Sequence, residues 1–281
     1  MPTFRGEQYI GYLMRSLSRQ SLKTFRTVFV IKESGDGTEP LVRKLGSQLM
    51  LDLEIVTQTE GNVVEALELG LRQIDDELVL ITDDDAILPS DWISKNVKLH
   101  KNPRFGAVSG NILSYDLTNN KVARLNVSKP LVYLYRSVIR PILDRPHNVF
   151  RAYTSGIYIT KNYGVAAGKA IPNRQCLSLP CRGVNLSFKR ESLDNVDFPK
   201  HPALRRCPWW EPYLGAQVVL NGWQSIYSPI LSVYHIERES ISRTRHKTEL
   251  RIEKRIMKSL IKRCLQSSSR IGWKNETGEA S

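Results

Sequence analysis

Cysteine is scarce in this chain and falls into no pattern. Cys176, Cys181, Cys207 and Cys264 are the only four in 281 residues. The 176/181 pair is too widely spaced for a CxxC redox motif, and no histidine cluster completes a zinc site. These gaps argue against a disulfide framework or a structural zinc, and free thiols in a reducing cytosol are expected. Long apolar runs are also missing. None approaches the roughly 20 residues of a membrane-spanning helix, and Met1-Pro2-Thr3-Phe4-Arg5-Gly6 contains no apolar core of a secretory signal. The chain is therefore expected to be cytoplasmic, soluble or peripheral to the membrane. No internal repeat is present. Acid is the minority charge, since 28 Asp and Glu against 41 Lys and Arg leave a net charge of +13. That balance points to phosphate-bearing partners: nucleic acid, nucleotide substrates or an anionic membrane surface.

What is present is an ordinary globular composition, 41% hydrophobic and 25% charged. The length allows one large α/β domain or two small ones. One stretch organises the rest: Glu77-Leu78-Val79-Leu80-Ile81-Thr82-Asp83-Asp84-Asp85-Ala86-Ile87-Leu88-Pro89. Its apolar run reads as a fully buried strand. The three acids at its carboxyl end then emerge into the crevice where open α/β sheets bind ligands. Carboxylates this close repel unless protons or a cation intervene, and Mg²⁺ or Mn²⁺ suits oxygen ligands. A solvated acidic turn capping the following helix is the other reading of these residues.

Around this stretch strands and helices alternate. Ile10, Leu13, Met14 and Leu17 share one helical face, Thr27–Ile31 is a strand, and Ser34-Gly35-Asp36-Gly37-Thr38 is a turn opening a helix over 39–49. Leu53–Val56 is a short strand, and 63–73 a helix. Trp92–His100 reads as a helix with Ile93 and Val97 buried, and Phe105–Leu113 as a strand. This order predicts a largely parallel sheet with helices on both faces. Leu131–Leu143 is apolar and aromatic but interrupted by proline, and 149–186 holds short β-like pieces. Cys207-Pro208-Trp209-Trp210-Glu211-Pro212-Tyr213-Leu214 leads into a helix closed by Asn221-Gly222. Trp223–Pro229 reads as an edge strand, continued by Val233-Tyr234-His235. From Glu237 a basic run begins, Arg238, Arg243, Arg245, Lys247, Arg251, Lys254, Arg255, Lys258, Lys262 and Arg263, with Leu250, Met257, Leu260, Ile261 and Leu265 at helical spacing. Disorder is expected after Gln266.

Taken together, residues 1–237 resemble an inverting glycosyltransferase of family 2 with the GT-A fold. Pro2-Thr3-Phe4-Arg5-Gly6-Glu7 resembles that family's P-T-[YF]-N-R-E loop, Ser34–Thr38 its D-G-T turn, and Asp83-Asp84-Asp85 its D-x-D signature. Gly183-Val184-Asn185-Leu186-Ser187-Phe188-Lys189-Arg190 resembles its acceptor-side segment. Trp210-Glu211-Pro212-Tyr213-Leu214 with Gly222-Trp223 resembles E-D-x-x-L…G-[YWF], and Pro229 and His235 resemble the closing P…H. Two departures stand out. The family's opening strand is missing, with Met1 at its last apolar position, which suggests a misassigned start or a truncated chain. Ile31-Lys32-Glu33 replaces the paired acids before the D-G-T turn, leaving Glu33 as the carboxylate for the base.

The resemblance implies a nucleotide-sugar half at about 1–115, an acceptor half at about 116–237, and a basic helical tail over 238–281. It implies a UDP-, GDP- or dTDP-linked donor, a divalent cation, and a glycan or lipid-linked acceptor in cell-envelope polysaccharide, glycolipid or protein-glycan synthesis. Pro2, Thr3, Phe4, Arg5, Glu7, Glu33, Asp36, Asp83, Asp84 and Asn185 fall to donor binding, with Asp84 turned away from the metal. Asp85 is the direct metal ligand, Asp83 supports it, and His235 completes the shell. Glu211 is the general base, and its position also suits an acid at a helix N-terminus. Trp209, Trp210 and Trp223 suit either sugar stacking or the core. The basic tail suits an anionic membrane surface better than nucleic acid, or is simply a solvated face. Two other functions fit parts of this pattern. A nucleotidyltransferase also places acids after a parallel strand, and a degenerate transferase would bind glycan or lipid without turnover.

Overall fold

The first half of the chain builds the strand–helix alternation from well-marked elements. In the computed structural model, residues 1–124, 140–168, 171–205, 207, 209–238 and 247–270 are described. Residues 131–139 of the Leu131–Leu143 stretch lie outside them, as do Pro208, Arg243, Arg245 and the chain after Arg270. In order, the elements are β1 (Pro2–Thr3), α1 (Ile10–Ser18), β2 (Thr27–Lys32), α2 (Thr38–Gln48), β3 (Leu53–Gln58), α3 (Val63–Leu71), β4 (Leu78–Ile81), β5 (Ala86–Ile87) and α4 (Trp92–His100). β6 (Phe105–Asp116), β7 (Lys121–Arg124), α5 (Arg140–Leu143), β8 (Ile157–Ile159), β9 (Val165–Ala167), β10 (Cys176–Leu177) and β11 (Leu186–Lys189) follow. The last three are α6 (Trp210–Leu220), β12 (Gln224–Ile236) and α7 (Lys247–Arg270). No disulfide joins any of the four cysteines.

Local chemistry explains the boundaries. The α1 face of Ile10, Leu13, Met14 and Leu17 is wholly buried. At α3 the Asn62 side chain accepts from Val64 N–H while Glu65 returns a bond to Asn62 N–H, a reciprocal cap. Gly222, at φ +93°, closes α6 as expected.

Two sheets result. β1, β2 and β3 pair in parallel. The second sheet runs β10-β12-β6-β11-β4; β6 and β12 are parallel, whereas β11 lies antiparallel to both β4 and β6. β1 is two residues long and, among the described residues, pairs only with β2, so no β1–β4 ladder joins the sheets. One large core cluster lies between α1, α2, α4 and the strands beneath them, and a second sits under α3, β4, β11 and α6. A third gathers Phe150, Tyr158, Leu179 and Tyr213 under α7.

Three local expectations change. β4 alternates buried and half-buried residues rather than being buried throughout. In α4, Val97 is 36% exposed, and Trp92, Ile93, Asn96 and His100 form the inner face. Asn96 and His100 turn inward because Ser187 bonds both, donating its hydroxyl to Asn96 Oδ1 at 2.7 Å and accepting from His100 Nε2 at 2.8 Å. The Trp223–Pro229 segment is no edge: β12 is one strand of 13 residues lying between β10 and β6. Pro229 is tolerated because it falls in a register shift between Ser228 and Ser232, where ladder bonds lapse.

α7 is built onto the body of the fold. Met257, Leu260 and Ile261 are buried in the third cluster, and Ile252 and Ile256 pack on the second. Leu265, expected on the same face, is 43% exposed. Among the described residues no helix is long and apolar enough to cross a membrane.

Candidate active site

The acids after β4 are set by β pairing on both sides. The Thr82 hydroxyl donates to the Val184 carbonyl at 2.9 Å, holding the turn against the Gly183–Asn185 segment. β5 pairs with β12 so that His235 faces Ala86, and the Ile236 N–H donates to the Asp85 carbonyl at 2.9 Å. Ligand atoms of Asp83, Asp85 and His235 consequently lie within 4.8 Å of one another. His235 Nε2 sits 3.0 Å from Asp85 Oδ1, yet that buried oxygen receives no aligned hydrogen bond. Asp84 points elsewhere. Its carboxylate accepts from Phe4 N–H at 3.3 Å and from Arg238 Nη2 at 2.8 Å.

Electrostatics here favour an added positive charge. Burial, then the charge of Asp85, pushes Asp83 up to about 6. Burial pushes Asp84 up to about 7 in spite of Arg238. Burial alone would lower His235, but the adjoining Asp85 carboxylate outweighs it and the net shift is upward. Two carboxylates and an imidazole nitrogen, one oxygen being buried without a hydrogen bond, form a donor set that suits a hard divalent cation.

The Pro2–Glu7 loop and the Ser34–Thr38 turn are tied together. Gly6 N–H donates to Thr38 Oγ1 at 3.0 Å, and Gly37 N–H to Glu7 Oε2 at 3.0 Å. Gly6 has no room for a side chain, because a Cβ there would meet Asp84 Oδ2 at 2.7 Å. Burial would raise Asp36, but donation from the Ser34 and Thr38 hydroxyls, each at 2.6 Å, holds it below the usual carboxylate range. Asp36 thus braces its own turn. Beside it a cleft of about 410 Å³ is lined by Ile31, Lys32, Glu33, Ser34, Asp36 and Arg43. The Phe4 ring lies between two cations, with Arg5 at 5.2 Å and Lys32 at 5.7 Å from its centroid. Arg5, at φ +53°, is exposed, whereas Thr3 is buried. Pro2 is spent on pairing with Val30.

Across the turn stands Glu211, 8% exposed at the start of α6. Its Oε1 accepts from Gly183 N–H at 3.0 Å, and its buried Oε2 has no partner. Burial drives its pKa to about 8, with the charge of Asp83 adding to the rise. Gly183 is wedged between the two acids' neighbourhoods: a Cβ would lie 2.8 Å from the Trp210 ring and 3.4 Å from Asp83 Oδ1. Trp210 is buried in the second cluster, while Trp209 and Trp223 are half-buried, the latter under Lys189.

Asn185 is placed with the core. It is 1% exposed; its Oδ1 accepts from Trp92 Nε1 at 2.9 Å, and its Nδ2 donates to the Asn111 and Leu231 carbonyls. Two side chains at the site were not singled out by the sequence. Arg238 bonds Asp84 and Asp85, and Glu253 of α7 accepts the Trp209 N–H at 2.8 Å, at the start of the Glu211 helix. Arg238 reads in sequence as one member of the basic run, and Glu253 is an acid inside that run with no motif around it. The usable signal for Arg238 was its place just beyond β12, before the helical spacing begins.

Solved structures share this architecture. S. aureus TarS 1–349 in complex with UDP-GlcNAc matches with a TM-score of 0.60 at 16% identity, over 91% of this chain and 63% of that one. The mannosyltransferase PcManGT from Pyrobaculum calidifontis, with GDP-Man and Mn²⁺, gives 0.56 at 20% identity over 97% and 74%. GalNAc-T7 with UDP, GalNAc and Mn²⁺ gives 0.61 at 11% identity over 86% and 44%. This chain therefore spans less than two thirds of the TarS fragment and less than half of GalNAc-T7. No curated protein matches the sequence. Fold and site together define a GT-A glycosyltransferase architecture. The profile of glycosyl transferase family 2 matches residues 1–161, more than half of the chain, and the chain belongs to that family.

Proposed function

We propose that the protein transfers a sugar, with inversion, from a nucleotide-sugar donor to an acceptor hydroxyl. The observation that carries this reading is the pairing of a cation-suited group, Asp83, Asp85 and His235, with a buried, proton-avid carboxylate, Glu211, on the other side of Gly183. Glu211 takes the acceptor hydroxyl proton as the new C–O bond forms at the anomeric carbon and the bond to the departing diphosphate oxygen breaks. Asp85 and His235 would hold Mg²⁺ or Mn²⁺ with support from Asp83, and the cation would supply Lewis-acid neutralisation of the diphosphate. Lys32 and Glu33 line the cleft assigned to the nucleoside, with the Phe4 ring 5.7 Å from Lys32 Nζ and Glu33 as the carboxylate for the base. UDP-, GDP- and dTDP-sugars are the donor candidates; the similar structures hold UDP- and GDP-linked ligands. The acceptor is a glycan or lipid-linked glycan of envelope polysaccharide, glycolipid or protein-glycan synthesis, met at the cytoplasmic face of the membrane.

The test is a panel of UDP-, GDP- and dTDP-sugars incubated with Mn²⁺ or Mg²⁺, with released nucleotide measured and the product anomer read by NMR. Cation-dependent turnover of one donor with inverted configuration is expected. Retention of configuration would remove the inverting assignment. Donor binding without turnover for any acceptor offered would favour the degenerate, non-catalytic reading.

A further inference from the structure

Arg238 stands at the meeting point of the turn, the Phe4 loop and α1. Its Nε contacts Asp85 Oδ2 at 2.5 Å and its Nη2 contacts Asp84 Oδ1 at 2.8 Å, so one rigid fork grips two neighbouring carboxylates. The guanidinium rests 5.3 Å from the centroid of the Tyr9 ring, just before α1. Engagement of Oδ2 leaves Oδ1 as the Asp85 oxygen directed toward His235. The second prong continues through Asp84 to the Phe4 N–H, linking the acidic turn to the Phe4 loop.

We infer that Arg238 is a positioning residue of the cation site, presenting Asp85 through Oδ1 and tying that carboxylate to the Phe4 loop. The inference rests on the proposed cation site of Asp83, Asp85 and His235. Two physical effects of Arg238 have opposite signs, which makes the inference testable. As a neighbouring positive charge it repels a divalent cation, so its removal would tighten binding. As an outer support for a ligand its removal loosens binding, on the order of 10- to 100-fold for such partners.

Mn²⁺ alone is titrated into the full chain, with the free ion followed by electron paramagnetic resonance. Wild type, Arg238→Met, Arg238→Lys and Asp85→Asn are compared, with the thermal midpoint of each as a check on folding. Expected are binding by wild type, its loss in Asp85→Asn, and weakening of about 10- to 100-fold in both Arg238 variants, because lysine keeps the charge without the fork. Tighter binding in Arg238→Met with Arg238→Lys unchanged would show charge repulsion alone and overturn the inference, as would unchanged affinity in both. If Arg238→Met fails to fold, Arg238→Lys decides on its own: weaker binding supports positioning and equal binding overturns it. Wild type that binds no Mn²⁺ overturns the cation site itself, and this inference with it.

Discussion

Glu211 is where burial and chemistry pull in opposite directions. Its carboxyl moves from an ordinary 4.5 to about 8 on folding, chiefly through burial. Between those values the folded chain holds a proton that the unfolded chain has released, so this contribution to stability is lost as pH rises from about 4.5 to about 8. Activity should run the other way, because the base must be ionised, and kcat should climb through about pH 8. Thermal melts and rate profiles across that window should therefore diverge. Glu211→Gln should flatten part of the melt dependence and lower kcat by roughly 10²- to 10⁴-fold, with Mn²⁺ affinity nearly unchanged. Retained activity in that variant would remove Glu211 from the base role. Asn185 is the contrasting residue. The resemblance assigns it to donor binding, but its amide already serves Trp92, Asn111 and Leu231. Asn185→Ala should cost about 1–3 kcal/mol in denaturant unfolding for the stranded buried groups. A variant of wild-type stability that bound donor poorly would restore the ligand role. A motif in sequence marks the position; it does not say which way the side chain turns.

At the level of elements, the helix and strand pattern was readable wherever one apolar face sufficed to specify it. The α1 spacing is an example. Periodicity failed where the inner face is polar, as in α4, since Asn96 and His100 look like solvent residues until Ser187 is brought opposite them. It also failed to say what α7 packs against. An amphipathic basic helix fits a lipid surface by pattern alone, yet here the apolar side is spent on Met257, Leu260 and Ile261 in the third cluster. Glu253 (4% exposed) faces the same interior and accepts the Trp209 N–H. Leu260→Ala should therefore destabilise the protein by about 2–5 kcal/mol in chemical unfolding. A chain ended near Arg238 should give lower yield and a lower melting temperature than the full chain. Unchanged stability in either would mean that α7 is a dispensable appendage.

For the molecule as a whole, part of the +13 surplus lies along one helix, α7. The outward side of α7 exposes Lys247, Arg251, Lys254, Arg255, Lys258, Lys262 and Arg263, whereas both acids of the helix described there, Glu249 and Glu253, are buried. Nothing cancels the stripe along its own helix. With its apolar side packed into the fold, α7 has no second face to insert between lipid chains, so contact with a membrane has to be electrostatic. Charge contacts of this kind contribute about 1 kcal/mol per Lys or Arg at an anionic surface and fade within a Debye length of about 8 Å at physiological salt. In flotation, the full chain should co-migrate with vesicles containing anionic lipid, stay behind with neutral ones, and detach as salt is raised toward 1 M. Lys254→Glu, Lys258→Glu and Lys262→Glu combined should abolish flotation while leaving turnover of a soluble acceptor unchanged, because all three residues are exposed and none contacts the acidic turn or Glu211 among the described interactions. Salt-resistant flotation would instead require apolar insertion, which would mean that α7 had left the body of the fold and released the Glu253 bond to Trp209. Loss of turnover on vesicle binding would then report that release at the Glu211 helix.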